Sequence, residues 1–331
     1  MNILINDTAV IAGENETLIE AARRAGVDIP SLCYARGAVH KSSCMICAVK
    51  DCRTGQIIPA CTTIPSEGMQ IDTRCEEVIL SRTLSLELLL SDHRADCEAP
   101  CSIVCPHGLD VERMLAFYDE DKTEQAHQTI AAAFPLPEIK CNSCKAPCEK
   151  ACRRGSIDKH VAIRSIIAEI CSRSDSAKPS ANGTDLPAPA KSQFLSRLGR
   201  FTEAERIRIK ESLAGGSRCL HCACGGRNGC KLRLYAGQMG IKRSRYDAAS
   251  ASQVMIRQKI ADKLWFEPAK CIKCGLCVYN STNGFTFKGR GFVMQIVLPE
   301  ENRQNVDRSF AQLCPSGAIY LSDNPEKIYE Q

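Results

Sequence analysis

Hydrophobic positions come in short, changing periods along the chain. Ile3 and Ile5 fall on alternate positions, and Val10-Ile11 precede Gly13. That pattern predicts a β-hairpin. Thr17 to Ala25 then reads as a short helix that stops at Gly26. From Glu76 to Leu90 the pattern turns helical and strongly apolar. Further helices are expected over Asp110–Tyr118, capped by Asp110, and over Thr123–Phe134. Asp158–Cys171 is another, with Val161, Ile163, Ile166, Ile167 and Ile170 near one face. Thr202-Glu203-Ala204-Glu205 is a capping box for a charged helix ending near Gly215-Gly216. Near the end, Gly284–Lys288 and Phe292–Leu298 flank Gly289-Arg290-Gly291 and predict a second hairpin.

Composition divides these elements into modules. The 331 residues suffice for two or three domains of ordinary size. Residues 172–193 are rich in Ser, Ala and Pro with almost no large apolar side chain. Such a stretch buries too little surface to offset its ordering entropy, so 172–198 reads as a flexible linker. A weaker boundary lies near Tyr246–Val254. The expected organisation is 1–75, 76–171, the linker 172–198, a module over 199–250 and a last domain over 260–331. Aromatics are only 5%, which argues against large cores. No stretch reaches the roughly 18 apolar residues of a membrane span, and Met1–Asp7 resembles no export signal. A cytoplasmic location follows as the expectation. The net charge of +5 is mild and gives no reason to invoke nucleic acid.

Cysteine changes the picture most. There are 22, most of them at short intervals. A reducing cytosol does not keep so many as disulfides, so the spacings point to metal or iron–sulfur ligation. Cys33, Cys44, Cys47 and Cys61 form one group; four thiolates can hold two irons and two sulfides. Cys97, Cys101, Cys105, Cys141, Cys144, Cys148 and Cys152 form a second. Cys219, Cys222, Cys224 and Cys230 form a third, whose four sulfurs suit either a [4Fe–4S] cluster or zinc. Cys271-x2-Cys274-x2-Cys277 with Cys314-Pro315 is half of a bacterial ferredoxin signature. The place of the second cluster's cysteine is taken by Ser281, so one [4Fe–4S] cluster is expected there. Cys52, Cys75 and Cys171 have no partner at ligand spacing, and Cys171 is most simply a small buried hydrophobe.

Three resemblances add to this. The spacing Cys33-x10-Cys44-x2-Cys47-x13-Cys61 resembles the N-terminal [2Fe–2S] domain of the complex I large iron–sulfur subunit. NAD-linked hydrogenases and formate dehydrogenases carry relatives of it. That resemblance implies a β-grasp sheet with one packed helix. The Leu-rich helix leading to His93-x3-Cys97 is similar to the segment that supplies a histidine ligand in the same family. Cys97-Glu98-Ala99-Pro100-Cys101, Cys105-Pro106 and Cys144-Lys145-Ala146-Pro147-Cys148 with Cys152 resemble instead the α-helical iron–sulfur domain of glutamate synthase small subunits and dihydropyrimidine dehydrogenase. The resemblance implies two [4Fe–4S] clusters with interleaved ligands. One would take His93, Cys97, Cys101 and Cys152. The other would take Cys105, Cys144 and Cys148. Its usual Gln or Glu ligand falls at Ile167, which cannot ligate, so Cys141 is expected to replace it. Cys314-Pro315-Ser316-Gly317 resembles a ferredoxin's exit from its last ligand, implying a ferredoxin-like C-terminal domain.

The fold class expected is therefore α+β and multi-modular: a β-grasp [2Fe–2S] domain, an α-helical two-cluster domain, a small four-cysteine module and a ferredoxin-like domain. No G-x-G-x-x-G follows a strand, so no FAD or NAD site of its own is expected. The chain reads as a non-catalytic electron-transfer subunit with one [2Fe–2S] and three or four [4Fe–4S] clusters. Its partners would be a flavoprotein NAD(P)H oxidoreductase and a hydrogenase, formate dehydrogenase or glutamate-synthase-like subunit, or a ferredoxin. The linker would let the C-terminal modules dock separately. The competing reading is an iron–sulfur redox sensor or assembly protein, which predicts one labile exposed cluster.

Overall fold

A computed structural model describes residues 1–134, 141–174, 194–196, 203–212, 216–224, 229–243, 245–246 and 258–323. The chain forms two compact units. Residues 1–94 and 228–323 make the first, and 95–227 belong to the second. Among the described residues no helix is long and apolar enough to cross a membrane.

The first unit opens with the expected hairpin. Strand β1 (Asn2–Ile5) pairs antiparallel with β2 (Thr8–Ile11). Asn6 and Asp7 both adopt positive φ, 49° and 67°, the backbone a two-residue turn between twisted strands requires. Ile3 and Ile5 point inward while Asn2 and Leu4 face out. Helix α1 (Leu18–Arg24) starts where Glu20 accepts from the Thr17 backbone N–H at 3.0 Å. It buries Leu18, Ile19, Ala21 and Ala22 against the sheet. Strands β3 (Ala48–Asp51), β4 (Gln56–Pro59) and β5 (Gln70–Asp72) complete a sheet of order β2-β1-β5-β3-β4. The central pair β1–β5 is parallel, with Ile5 opposite Ile71. Helix α2 (Glu76–Ser91) buries Val78, Arg82, Leu86 and Leu90, one stripe at a spacing of four.

Residues 228–323 complete the same unit. Helix α9 (Lys231–Gln238) precedes β6 (Gln258–Ala261) and β7 (Leu264–Phe266), which pair with β10 (Ile319–Leu321) in the order β10-β7-β6. The expected late hairpin is shorter than its apolar run. It is β8 (Thr286–Lys288) and β9 (Gln295–Val297), with Gly291–Val293 in a 3-10 turn between them. Phe285 stacks edge-on to Phe266 and Phe310 at 5.2 and 5.6 Å, filling a small core.

The second unit is helical: α3 (Pro100–Ile103), α4 (Val111–Asp119), α5 (Thr123–Ala133), α6 (Pro147–Lys150), α7 (Ile163–Ser174) and α8 (Glu203–Ser212). Asp110 caps α4 as expected, accepting from Arg113 N–H at 3.2 Å. Helix α7 begins five residues later than its apolar pattern suggested. Asp158 does not cap it; its carboxylate instead receives the Arg154 guanidinium at 2.7 and 2.9 Å. The core packs Met114, Leu115, Ile130, Ile163 and Ile170.

Most of the expected linker, 175–193, and Thr202 of the capping box lie outside the described residues. At its edges the linker reading does not hold. Helix α7 runs on to Ser174. Phe194 is fully buried, and its carbonyl accepts from Cys97 N–H at 3.0 Å.

Candidate metal centres

All 22 cysteines are free thiols. In the first unit, the loops around the five-stranded sheet bring Cys33, Cys44, Cys47 and Cys61 together, each at most 4% exposed. Their thiols share protons. Cys33 is pushed down by hydrogen bonds to Cys44 and Cys61, and Cys47 by its bond to Cys61. Cys44 and Cys61 are pushed up, first by those same bonds and then by burial.

Two neighbours that spacing did not single out hold this quartet. His40 spans the Ala38 carbonyl and the Cys61 carbonyl, at 3.3 and 3.1 Å. Arg82 donates from Nε and Nη2 to the Ala48 carbonyl at 3.0 and 2.7 Å. Strand β5 ends at Asp72, opposite Lys50, so Ala48 has no strand beyond it on that edge. The arginine from α2 supplies the missing donor. The signal was present: an Arg at a spacing of four within an otherwise apolar stripe.

Cys271, Cys274, Cys277 and Cys314 form a second quartet in the same unit. Burial pushes the Cys271 thiol up to about 12, helped by the charge of Cys314. Burial also raises Cys274 and Cys277, each reinforced by the other thiols of the set. The loop turns at Lys273 (φ 55°) and Gly275 (φ 80°). Ser281 donates to the Cys277 carbonyl at 2.8 Å.

The structure sets these two quartets beside each other. Asn280 grips Val39, which lies between Cys33 and Cys44. The Val39 N–H donates to its Oδ1 at 2.8 Å, and its Nδ2 donates to the Val39 carbonyl at 2.7 Å. The Ser31 N–H donates to the Tyr235 hydroxyl at 3.3 Å. Cys33 is close enough for its charge to raise Cys274.

In the helical unit, Cys105, Cys141, Cys144 and Cys148 line a small cavity. Ile167 lies on the same wall. Burial pushes Cys141 and Cys148 up to about 11 each. Cys171, read as a plain hydrophobe, is buried and also close enough to raise Cys141.

A second, small cavity is lined by Cys101, Cys152, Cys219 and Cys222, with Glu112 and Arg154. The resemblance implied a different set, His93, Cys97, Cys101 and Cys152; the cavity places Cys101 and Cys152 with Cys219 and Cys222. His93 is buried at the end of α2 in the first unit, and the next residue, Arg94, donates its N–H to the Ala269 carbonyl at 3.2 Å. Cys97 is buried in the second unit but is not among the residues lining this cavity. Cys224 donates its N–H to the Asp96 carbonyl at 2.7 Å. Cys230 belongs to the first unit, where its sulfur accepts from Arg233 N–H and the next residue, Lys231, donates to the Pro315 carbonyl. The 199–250 module is thus divided between the two units.

Known proteins match in three pieces. Residues 1–76 match a 2Fe-2S iron-sulfur cluster binding domain. Residues 89–177 match dihydropyrimidine dehydrogenase domain II, 4Fe-4S cluster, and 264–321 match a 4Fe-4S single cluster domain. Subunit HndD of the NADP-reducing hydrogenase of Solidesulfovibrio fructosivorans is 30% identical over 166 residues, 46% of this chain and 27% of that protein. The gamma subunit of the NAD-reducing hydrogenase HoxS of Cupriavidus necator is 29% identical over 97 residues, 29% of this chain and 41% of that protein. The mitochondrial 78 kDa subunit of the NADH-ubiquinone oxidoreductase of Candida albicans is 26% identical over 153 residues, 44% of this chain and 20% of that protein. The chain therefore spans less than half the length of these relatives. A chain in the crystal structure of an NAD+-reducing [NiFe]-hydrogenase in the H2-reduced state shares the fold. Its TM-score is 0.51 at 16% identity, covering 97% of this chain and 87% of that one. The chain contains three stretches that match iron–sulfur cluster-binding domains, and it is similar to parts of hydrogenase and NADH oxidoreductase subunits.

Proposed function

We propose that this chain carries single electrons within an NAD(P)H-linked oxidoreductase complex. Its partners on that reading are a flavin-bearing NAD(P)H-oxidising subunit on one side and a second redox subunit or ferredoxin on the other. The observation that carries it is the pairing of two thiol quartets in one unit, the first buried and the second half-buried, joined by the Asn280–Val39 grip. Cys33, Cys44, Cys47 and Cys61 would hold the [2Fe–2S] cluster, in a β-grasp domain over 1–75. Cys271, Cys274, Cys277 and Cys314 would hold one [4Fe–4S] cluster in the ferredoxin-like domain over 260–331. Cys105, Cys141, Cys144 and Cys148 would hold another in the helical domain over 76–171. Such clusters supply one-electron redox chemistry when bound. The chain's own residues bury the sulfurs, fix the two quartets side by side and set the charge around them. The sensor reading expects an exposed, labile site, whereas Cys33, Cys44, Cys47 and Cys61 are at most 4% exposed.

The test is anaerobic purification with iron and acid-labile sulfide counting, then low-temperature EPR of the dithionite-reduced protein. One two-iron and at least two four-iron signals are expected. NADH alone leaves the protein oxidised, and NADH with a catalytic amount of a flavoprotein dehydrogenase reduces it. A colourless, sulfide-free protein, or reduction by NADH alone, refutes the proposal.

A further inference from the structure

Spacing grouped Cys219 and Cys222 with Cys224 and Cys230. The fold takes them elsewhere. Three aspartates strap the segment 217–224 onto the helical unit. Asp119 accepts from the Ser217 N–H and hydroxyl, each at 2.6 Å. Asp158 pairs with Arg218. Asp96 forms an isolated β-bridge with Ala223 and accepts from Cys224 N–H. Held this way, Cys219 and Cys222 complete the cavity whose other sulfurs are Cys101 and Cys152.

Both signs of charge line the cavity: Arg153 and Arg154, each paired with an aspartate, and the buried Glu112; what is left over is a donor. Arg154 is 1% exposed and lines it. Its Nε and Nη2 are held by Asp158, and its Nη1 has no hydrogen-bond partner among the described residues. A buried guanidinium N–H without an acceptor costs on the order of 1–3 kcal/mol, so an acceptor is expected there. Arg153 lines the same wall, fixed by Asp96 at 2.7 and 2.8 Å. Four cysteines around a void with that donor behind them suit a four-iron cubane, whose thiolate-ligated form is an anion. A single zinc on the same four sulfurs is the occupant that metal counting separates from a cluster.

We infer that Cys101, Cys152, Cys219 and Cys222 are the four ligands of one [4Fe–4S] cluster, and that Arg154 Nη1 donates a hydrogen bond to its sulfur. On this reading Cys219 and Cys222 stand in for His93 and Cys97 in the helical domain and do not form a four-cysteine set with Cys224 and Cys230. This rests on the iron–sulfur reading above and specifies a ligand set for it. The complement becomes one [2Fe–2S] and three [4Fe–4S] clusters, about 14 irons rather than 18.

The experiment uses the full chain, prepared anaerobically. Three variants are compared: Cys101→Ala with Cys152→Ala, Cys219→Ala with Cys222→Ala, and all four together. Each is expected to lose the same EPR signal and about four irons with four sulfides. The quadruple variant loses no more than either double. The signals of the other three clusters, retained, show that the chain has folded. Cys97→Ala keeps the full iron content. Arg154→Gln keeps the iron content but makes the midpoint potential of this one cluster more negative. Additive losses of about eight irons overturn the inference. So does zinc, rather than iron, disappearing with Cys219 and Cys222, or loss of this cluster in Cys97→Ala. A wild-type chain without iron overturns the function proposed above as well.

Discussion

Arg82 offers the sharpest test of how the N-terminal site is built. It is 7% exposed on the inner face of α2, and both its hydrogen bonds go to one buried carbonyl, that of Ala48. Ala48 follows Cys47 directly. Arg82→Met keeps the apolar stem and removes the charge and both donors. A hydrogen bond to a charged group contributes roughly 1.5–3 kcal/mol, and a buried carbonyl left without a donor costs about 1–3 kcal/mol. Against this, burial already disfavours the guanidinium, which pushes the Arg82 pKa down. Methionine recovers that desolvation. The expected net loss is about 2–3 kcal/mol. It is read as the shift in urea midpoint of the metal-free chain. In the loaded protein, losing a cation near Cys47 lowers the midpoint potential of the two-iron signal. Arg82→Lys keeps the charge but not the paired donors, so it should restore most of the potential and little of the stability. The reasoning fails if Arg82→Met changes stability by less than about 0.5 kcal/mol, the ordinary range for a surface substitution, and leaves the potential unmoved.

Two further outcomes are expected. The Arg154 guanidinium holds the Asp158 carboxyl below the usual carboxylate range, aided by Lys159 N–H and Arg218 against some burial. A folded-state pKa that is depressed stabilises above the unfolded value of about 3.9 and is lost as pH falls below it. Asp158→Ala should therefore cost about 3 kcal/mol at pH 7, by leaving a buried arginine uncompensated. The difference from wild type should shrink progressively as pH falls below about 3.9 and vanish only once pH passes the depressed folded value, read in urea titrations; a pH-independent difference would contradict it. Gly275 sits at φ 80°, and a Cβ there would meet Tyr279 Cε2 at 2.6 Å and Phe287 Cζ at 2.9 Å. Gly275→Ala adds about 1–3 kcal/mol of backbone strain. It should remove one four-iron EPR signal without touching a ligand, and full iron content in this variant would contradict that.

Local pattern carried what depends on neighbours in sequence. The hairpin at Ile3–Ile11, helix α1 and the capped α4 follow from period and cap alone, because their hydrogen bonds close within a few residues. The same holds for Cys271, Cys274 and Cys277, which a single loop brings together. Where a side chain found a stronger distant use, the pattern misled. Asp158 opens the apolar pattern of its helix but answers a buried arginine, and α7 starts five residues later. Phe194 sits at the end of a linker-like stretch and is nonetheless fully buried.

The sequence by itself determined the chemistry: so many thiols at such short intervals, in four separate cysteine-rich stretches, each with its own spacing. Only the tertiary structure decided which thiols share a site. Cys219 and Cys222 face Cys101 and Cys152 across a long stretch of chain, because three aspartates on distant helices and turns capture the segment that carries them. Asn280 joins the first and last quartets across 241 positions. Spacing records which ligands one loop can gather; it holds no record of contacts made by carboxylates, amides and guanidiniums between segments that meet only once the chain is folded.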